Sequence, residues 1–215
     1  MYDIVYENED FIVISKKEGF LSIKARGTII NDNTIFDELK RKYSQIYIVH
    51  RLDKDTSGIM IFAKNKESHK NISFMFQNRH VDKRYLALVW GVCDKDFYIS
   101  DSPIKEFGSG RMGISDAGKI SVTEFNVLKR FDKFSLIEAK PLTGRRHQIR
   151  VHLYHFGYPI VGDKLYGDLL KQKQIYRMML HSYKLSFKYK GKRYDFVDSD
   201  NFTKEIEEFI IRDNI

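Results

Sequence analysis

One carboxylate between two apolar segments is the residue of this 215-residue chain best placed to do chemistry. It is Asp53, in the stretch His50–Gly58, and Arg51 stands two positions before it. A carboxylate in such a loop can act as a nucleophile or stabilise a cation, and functional residues tend to lie on loops held by a rigid scaffold. The spacing is equally explained by a turn in which Asp53 and Thr56 only accept hydrogen bonds from the backbone.

The segments on either side of this loop are typical of buried strands. Ile46–Val49 is β-branched and aromatic, and Ile59–Ala63 is almost wholly apolar. Apolar residues at helical spacing predict a helix from Ile35 to Tyr43, capped by Asn33 or Thr34, and a second at 66–79, capped by Asn65. The two strands that flank the Asp53 loop are therefore expected to hold it rigidly.

The remaining pattern favours an α+β fold, because strands cluster without regular alternation with helices. The turn-rich segment 94–118 is expected to be a mobile excursion. Further helices are expected at 146–156 and 203–212, and further strands at 4–6, 11–15, 85–92, 120–128, 134–139, 179–189 and 193–197.

The charge of the chain indicates a polyanionic partner. The formal net charge is +8, and Lys and Arg neutralise the phosphates of nucleic acids, although a solvated basic surface explains the same composition. The single cysteine, Cys93, excludes a disulfide within the chain and a cysteine-rich zinc site. No apolar run approaches the roughly 18 residues of a membrane helix. The N-terminus lacks a signal-peptide pattern, so a cytoplasmic protein is expected.

An ordered set of motifs resembles the RluA-type pseudouridine synthases over most of the chain. The motifs are Asp3–Glu7 with Phe11–Lys16, His50–Asp53 with Thr56–Gly58 and Ala63–Lys64, Lys83–Ala87 with Gly91, Thr143–Leu153, Gly157–Asp163 with Tyr166–Gly167, and Leu180–His181. The chain departs from the family at Lys17, where proline is usual, and at Ile23–Lys24, where His-Pro is common. Both departures are far from Asp53 in sequence and are expected to affect only the local turn.

The resemblance implies an RNA pseudouridine synthase, which breaks the N-glycosidic bond of uridine, turns the base and rejoins it through carbon. The implied fold is α+β, a mixed, mainly antiparallel sheet flanked by helices with a central RNA-binding cleft. Residues 1–215 would form a single catalytic domain of two sub-lobes without the N-terminal S4 module of many relatives. Because the reaction needs no redox step, neither cofactor nor metal is expected. The expected partner is rRNA or tRNA, with the uridine in a loop or stem-loop, bound by a monomer.

The resemblance also assigns three catalytic residues. Asp53 would be the reacting carboxylate, and whether it attacks the sugar, attacks the base or helps remove a sugar proton stays open. Arg150 would be its charge partner, because a bidentate guanidinium favours and orients an ionised carboxylate. Tyr85 would lie against the target base, since an aromatic plane suits a base taken out of its stack.

Four further residues would bind the substrate. Arg51 would help hold the RNA open as the nucleotide flips out, and Arg145 and Arg146 would contact phosphates, which set affinity more than sequence choice. Leu180 would line an apolar wall beside the base. These roles follow from the resemblance and not from spacing.

Two other functions are compatible with parts of the sequence. A non-catalytic RNA-binding or ribosome-assembly protein would keep the basic surface, but would not need Asp53, Tyr85 and Arg150 together. A hydrolytic nucleosidase is disfavoured by the basic charge and by the lack of a second, water-activating carboxylate in the motif. The rival carboxylate Asp55 is expected to be a turn or surface residue, and His152 and His155 are expected to pack and form hydrogen bonds rather than bind a metal.

Overall fold

The computed structural model describes residues 1–24, 33–172 and 175–213. The helices are α1 (Ile35–Lys42), α2 (Lys66–Gln77), α3 (Gln148–His155), α4 (Leu169–Gln172) and α5 (Asp200–Asp213). The strands are β1 (Tyr2–Glu7), β2 (Phe11–Lys16), β3 (Tyr47–Ile48), β4 (Ser57–Ala63), β5 (Asp82–Trp90), β6 (Phe97–Ser100), β7 (Ile104–Glu106), β8 (Met112–Ile114), β9 (Thr123–Arg130), β10 (Phe134–Pro141), β11 (Leu180–Tyr189) and β12 (Lys192–Val197).

The chain divides into two compact units. Unit 1 contains Met1–Asp82 and Ser182–Asp198, and unit 2 contains Lys83–His181 and Ser199–Ile215. Strand β11 therefore begins in unit 2 and continues in unit 1. Across the described residues, no helix is both long and apolar enough to cross a membrane.

Unit 1 is built on two neighbouring strands that are almost wholly buried. β2 runs antiparallel to β4, from Phe11 opposite Ala63 to Lys16 opposite Gly58, and β1 pairs with β2. Every residue of β4 is buried. The core of this unit joins these strands to Ile72 of α2 and to aromatic residues of β11 and β12, and each fully buried apolar side chain stabilises the unit by about 1.5–3 kcal/mol. The β2–β4 register fixes the end of β2 beside the strand that follows the Asp53 loop.

Unit 2 is an antiparallel sheet with helices that pack against it. β10 pairs with both β5 and β9, and β9 pairs with β6, while β7 and β8 form a separate hairpin. The ring of Phe209 in α5 lies 5.4 Å from that of Phe134 in β10. A small cluster of Ile104, Val151 and Tyr166 joins the β7–β8 hairpin to α3.

The predicted α+β class is confirmed, with mainly antiparallel strand pairing, and α1 and α2 begin where the sequence predicts, whereas the helices expected at 146–156 and 203–212 begin at Gln148 and Asp200. Thr34 and Asn65 each complete a capping box at the start of α1 and α2. The segment 94–118, expected to be a turn-rich mobile excursion, contains the three short strands β6, β7 and β8, and its mobility stays a prediction. These strands have three or four residues, which is too short for alternation to be recognised among glycines.

Candidate active site

The Asp53 loop is anchored in unit 1 through the buried residue before the carboxylate. Leu52 is buried, and its carbonyl accepts a hydrogen bond from Ser22 Oγ at 2.8 Å, while its N–H donates to the same oxygen at 3.3 Å. The turn is closed by Thr56 N–H, which donates to the Asp53 carbonyl at 3.2 Å. Asp53 is half-buried and Asp55 is exposed, so the two carboxylates of the loop have different surroundings.

A buried lysine holds the other side of this loop. Lys16, at the end of β2, is 1% exposed. Its Nζ donates to the carbonyls of Lys17 at 3.0 Å, Phe20 at 2.7 Å and Lys54 at 2.7 Å. The element that departs from the family pattern at Lys17 is therefore bonded to the residue after Asp53, despite its distance in sequence. In the sequence, a lysine that follows the apolar run Phe11–Ile14 marks this position, but it does not reveal the partners of the ammonium.

His50 and Gly58 fix the two ends of the loop. His50 Nε2 accepts a hydrogen bond from Ile61 N–H at 3.1 Å, and its ring stacks on Phe76 with centroids 4.6 Å apart. Gly58 has φ +106°, and a Cβ there would lie 2.3 Å from the Ser182 carbonyl oxygen. Only glycine fits this conformation and this close approach. Arg51 lies between these fixed points and is exposed.

Tyr85 is carried by the central part of β5 in unit 2. It is 9% exposed and lies opposite Ala139 of β10. Its neighbour Arg84 pairs with Glu138 at 2.8 Å. Burial lowers the pKa of Lys83, because desolvation disfavours the ammonium form. The strand therefore holds an aromatic ring and two cations at its start.

The basic segment before α3 is shaped by a buried glutamine. Gln148 Oε1 accepts from Thr143 Oγ1 at 2.7 Å and from Arg145 N–H at 2.9 Å, and its Nε2 donates to Thr123 Oγ1 at 2.9 Å. His147 adopts the left-handed conformation with φ 55° just before the helix, an uncommon backbone state for a non-glycine residue. This turn presents the side chains before it to solvent.

Arg145 and Arg146 are both exposed. Arg145 Nε donates to the Ile120 carbonyl at 3.2 Å, and Arg146 pairs with Glu106 at 3.0 Å. Exposed pairs of this kind are worth little and are readily exchanged for another anion. Both side chains are compatible with phosphate contacts.

Arg150 lies in α3 and is 6% exposed. Its Nε and Nη2 donate to the two oxygens of Asp163 at 2.7 and 2.8 Å, and its guanidinium carbon lies 5.1 Å from the centroid of the Tyr166 ring. Asp163 and Tyr166 lie within the family motifs, but the sequence assigns them no role. Their contacts join residues 13 to 16 positions apart, which spacing alone does not reveal.

Leu180 is buried at the start of β11, within unit 2. The next residue, His181, stacks on Phe202 of α5 with ring centroids 4.8 Å apart. Phe202 also lies under the guanidinium of Arg177, at 5.2 Å. Leu180 is thus part of a packed apolar and aromatic layer.

The predicted site residues are distributed over the two units. Asp53 and Arg51 belong to unit 1, whereas Tyr85, Arg145, Arg146, Arg150 and Leu180 belong to unit 2. His152 is buried and bonded to Thr123 and Ser102, as expected of a packing residue. Within the part of the chain that the structure describes, no group of three or more His, Cys, Asp or Glu side chains could hold a metal ion.

Residues 10–155 match the sequence model of a family described as RNA pseudouridylate synthase. This match covers more than half of the chain and contains every predicted site residue except Leu180. The chain therefore belongs to the RNA pseudouridylate synthase family.

Individual relatives agree with this assignment. The chain is 42% identical over 173 residues to the ribosomal large subunit pseudouridine synthase D of Pseudomonas aeruginosa, with 77% of this chain and 53% of that protein covered. It is 36% identical over 219 residues to the dual-specificity RNA pseudouridine synthase RluA of Vibrio parahaemolyticus, with 97% of this chain and 87% of that protein covered. The chain thus spans about half the length of the first relative and most of the second.

A solved structure shares the fold. The human RNA pseudouridylate synthase domain containing 1 superposes with a TM-score of 0.79 and is 29% identical, with 93% of this chain and 84% of that chain covered. The α+β architecture described above is therefore the architecture of this family.

Proposed function

We propose that this protein is an RNA pseudouridine synthase that isomerises specific uridines of rRNA, tRNA or both. The observation that carries the proposal is the position of Asp53, Tyr85 and Arg150 within the one segment, residues 10–155, that matches the family. The relatives named above are described as acting on the large ribosomal subunit or as dual-specificity RNA enzymes. The formal net charge of +8 supports an RNA partner.

The reaction is an isomerisation in which atoms are conserved. The bond between C1′ of the ribose and N1 of uracil breaks, and the base turns. A new bond forms between C1′ and C5, while C5 loses a proton and N1 gains one. A carboxylate supports such a step by attacking a reacting centre or by stabilising a cationic sugar, as carboxylates do in glycoside hydrolysis.

Asp53 is proposed as this carboxylate because its loop is held by three anchors while the carboxylate itself is half-buried. Leu52 is fixed by Ser22, the Lys54 carbonyl by Lys16, and the strand after the loop by the glycine at position 58. A rigid loop lowers the cost of placing a reacting group. Asp55, which is exposed in the same loop, is not proposed to react.

The other roles follow the resemblance. Tyr85 is proposed to lie against the target base and Arg150 to be the cation that partners the catalytic carboxylate. Arg51 is proposed to hold the opened RNA, with Arg145 and Arg146 on phosphates and Leu180 beside the base. Residues 1–215 are proposed to make up one catalytic domain that acts as a cytoplasmic monomer, without cofactor or metal.

Mapping pseudouridines after incubation with purified protein tests the function. Total RNA from the source organism with this gene deleted is treated with the wild type, Asp53→Ala or Asp55→Ala, and pseudouridines are mapped by carbodiimide modification. New pseudouridines are expected with the wild type and with Asp55→Ala, and none with Asp53→Ala. Release of free uracil would instead indicate a hydrolytic nucleosidase. RNA that is bound equally by all three proteins and stays unmodified would indicate a non-catalytic RNA-binding protein.

A further inference from the structure

The carboxylate of Asp163 grips one edge of the Arg150 guanidinium. Its Oδ2 accepts from Nε at 2.7 Å and its Oδ1 from Nη2 at 2.8 Å. The Asp163 side chain is fully buried and that of Arg150 is 6% exposed. A bidentate pair of this kind fixes the plane and the rotation of the guanidinium, which a single hydrogen bond does not.

Asp163 is itself fixed by the main chain. Its Oδ1 also accepts from the N–H groups of Leu165 at 2.9 Å and Tyr166 at 3.1 Å. Before it stands Gly162 with φ +78°, where a Cβ would lie 1.9 Å from the Arg177 carbonyl oxygen. The backbone at this point therefore has no room to shift, and the carboxylate has little freedom to follow a moving arginine.

The face of the same guanidinium rests on Tyr166. Its carbon lies 5.1 Å from the ring centroid, a cation–π distance. The Tyr166 hydroxyl accepts from Met112 N–H at 3.0 Å and lies 2.9 Å from His147 Nδ1, and Tyr166 is 1% exposed. The ring is therefore held by burial and by the contacts of its hydroxyl.

We propose that Asp163 is a positioning residue that orients the guanidinium of Arg150 for catalysis, while the Tyr166 ring supports the guanidinium from one side. The proposal rests on the proposed function, in which Arg150 is the partner of the catalytic carboxylate. Asp163 engages the Nε–Nη2 edge and so determines where the Nη1 edge points. A displacement of about 1 Å in a catalytic group can lower a rate by about 100-fold.

The alternative is that the pair only stabilises the fold, and a second pair in unit 2 provides the matched comparison. Arg177 is also buried, lies over Phe202 at 5.2 Å and pairs with Glu205 at 2.6 Å. This pair also joins a buried arginine to a carboxylate beside an aromatic ring, although the Glu205 side chain is 35% exposed, and neither Arg177 nor Glu205 is a proposed site residue. Glu205→Gln therefore measures what breaking such a pair does to the fold alone.

Asp163→Asn is the selective variant. The amide oxygen can keep the Oδ1 bonds to Leu165 and Tyr166, while an NH₂ group replaces Oδ2 and faces the Nε–H of Arg150, donor against donor. Arg150→Lys is the second variant, because it keeps Asp163 and the positive charge but lacks the planar fork. Neither variant changes the Tyr166 ring.

Two measurements are made on the wild type and on all three variants. The first is the single-turnover rate of pseudouridine formation in total RNA from the organism with this gene deleted. The dissociation constant for the same RNA is measured alongside it. The second is the NMR resonance of the Arg150 Nε–H in protein labelled with ¹⁵N-arginine, assigned by its loss in Arg150→Lys. We expect Asp163→Asn to shift this resonance, to speed its solvent exchange and to lower the rate by about 100-fold with RNA affinity kept.

The outcomes separate the proposal from its alternative. Arg150→Lys is expected to share the rate loss, and Glu205→Gln to keep the wild-type rate. A wild-type rate in Asp163→Asn or in Arg150→Lys would overturn the proposal, as would an unchanged Nε–H resonance in Asp163→Asn or an equal rate loss in Glu205→Gln. A wild type that isomerises no uridine would contradict the proposed function, and the resonance would still decide whether Asp163 holds Arg150.

Discussion

At the scale of single residues, buried charges organise the proposed site. The Lys16 ammonium is surrounded by three backbone carbonyls, one of which belongs to Lys54 beside Asp53. A buried cation must be compensated by hydrogen bonds or opposite charge. Here the compensation also ties the end of β2 to the functional loop.

Replacing this ammonium should loosen the loop and the unit around it. Lys16→Met removes three hydrogen bonds from a charged donor to backbone carbonyls, so the free energy of unfolding should fall by about 3 kcal/mol. Urea denaturation measures the change. Lys17→Met is the matched control, because Lys17 is exposed and its pair with Asp3 is 3.5 Å long, and surface pairs are worth about 0–1 kcal/mol. Equal stability losses in the two variants would contradict this role of Lys16.

His152 makes unit 2 sensitive to acid. Burial lowers its pKa below the ordinary value of 6.5, so the unfolded chain binds the proton more readily than the folded one. Its contribution to stability is therefore complete above about pH 6.5 and is lost as the pH falls below that value.

The melting temperature, measured between about pH 8 and about pH 5, should fall on the acid side, and the fall should be smaller in His152→Gln. The exposed neighbour His155 lowers the pKa of His152 by charge repulsion, which is a smaller cause than burial, so His155→Gln should reduce the acid fall less than His152→Gln does. The same acid slope in the wild type and in His152→Gln would show that another group is responsible.

The residue types of the site could be read from the sequence, but their supports could not. Asp53, Tyr85 and Arg150 stand in recognisable strings. Lys16 and Asp163 act through hydrogen bonds to groups far away in the chain, and such pairs are created by strand register and loop packing. No local pattern encodes them.

At the scale of elements, the starts of helices were predicted correctly where a capping side chain marks them in the sequence. The side chains of Thr34 and Asn65 cap α1 and α2 as expected. The strand expected at Ile46–Val49 is limited to β3, Tyr47–Ile48, because the next N–H along β4, that of Ile61, donates to the His50 side chain. The helix expected to continue to residue 79 ends at Gln77, and Arg79 has φ 61°.

Gly58 is the glycine whose replacement should damage β4 most directly. Gly58→Ala combines a positive φ with a Cβ 2.3 Å from the Ser182 carbonyl oxygen. Gly19→Ala isolates the cost of the positive φ, since Gly19 has φ +79° and a Cβ added there would meet no atom within 4 Å. The control should lose about 1–2 kcal/mol of unfolding free energy, and Gly58→Ala clearly more. Equal losses would mean that the close approach to Ser182 carries no cost.

At the scale of the whole molecule, the basic charge should govern affinity for RNA rather than the chemical step. Arg145 and Arg146 are exposed on the segment before α3, and phosphate contacts of this kind release counterions. The net positive charge can be read from the composition. The division into two units, with a boundary inside β11, could not be predicted in this way because it depends on long-range packing.

Removing these two charges should weaken RNA binding in a salt-dependent way. In Arg145→Gln/Arg146→Gln, the slope of log affinity against log salt should become shallower by about 1.4, or about 0.7 per single-strand phosphate contact. The rate at saturating RNA should not change. Arg193→Gln is the control, because Arg193 is exposed but lies outside the family motifs, and both oxygens of Asp195 accept hydrogen bonds from its guanidinium. An equal change in the control would mean that only net charge matters.

The central claim is that Asp53 carries out the isomerisation, and release of tritium from RNA containing [5-³H]uridine tests it most directly. The label leaves C5 only when the base is rejoined through that carbon. Under single-turnover conditions, Asp53→Asn should release tritium about 10⁴-fold more slowly than the wild type, whereas Asp55→Asn, altered in the same loop, should release it at the wild-type rate. Tritium release by Asp53→Asn at the wild-type rate would contradict the account.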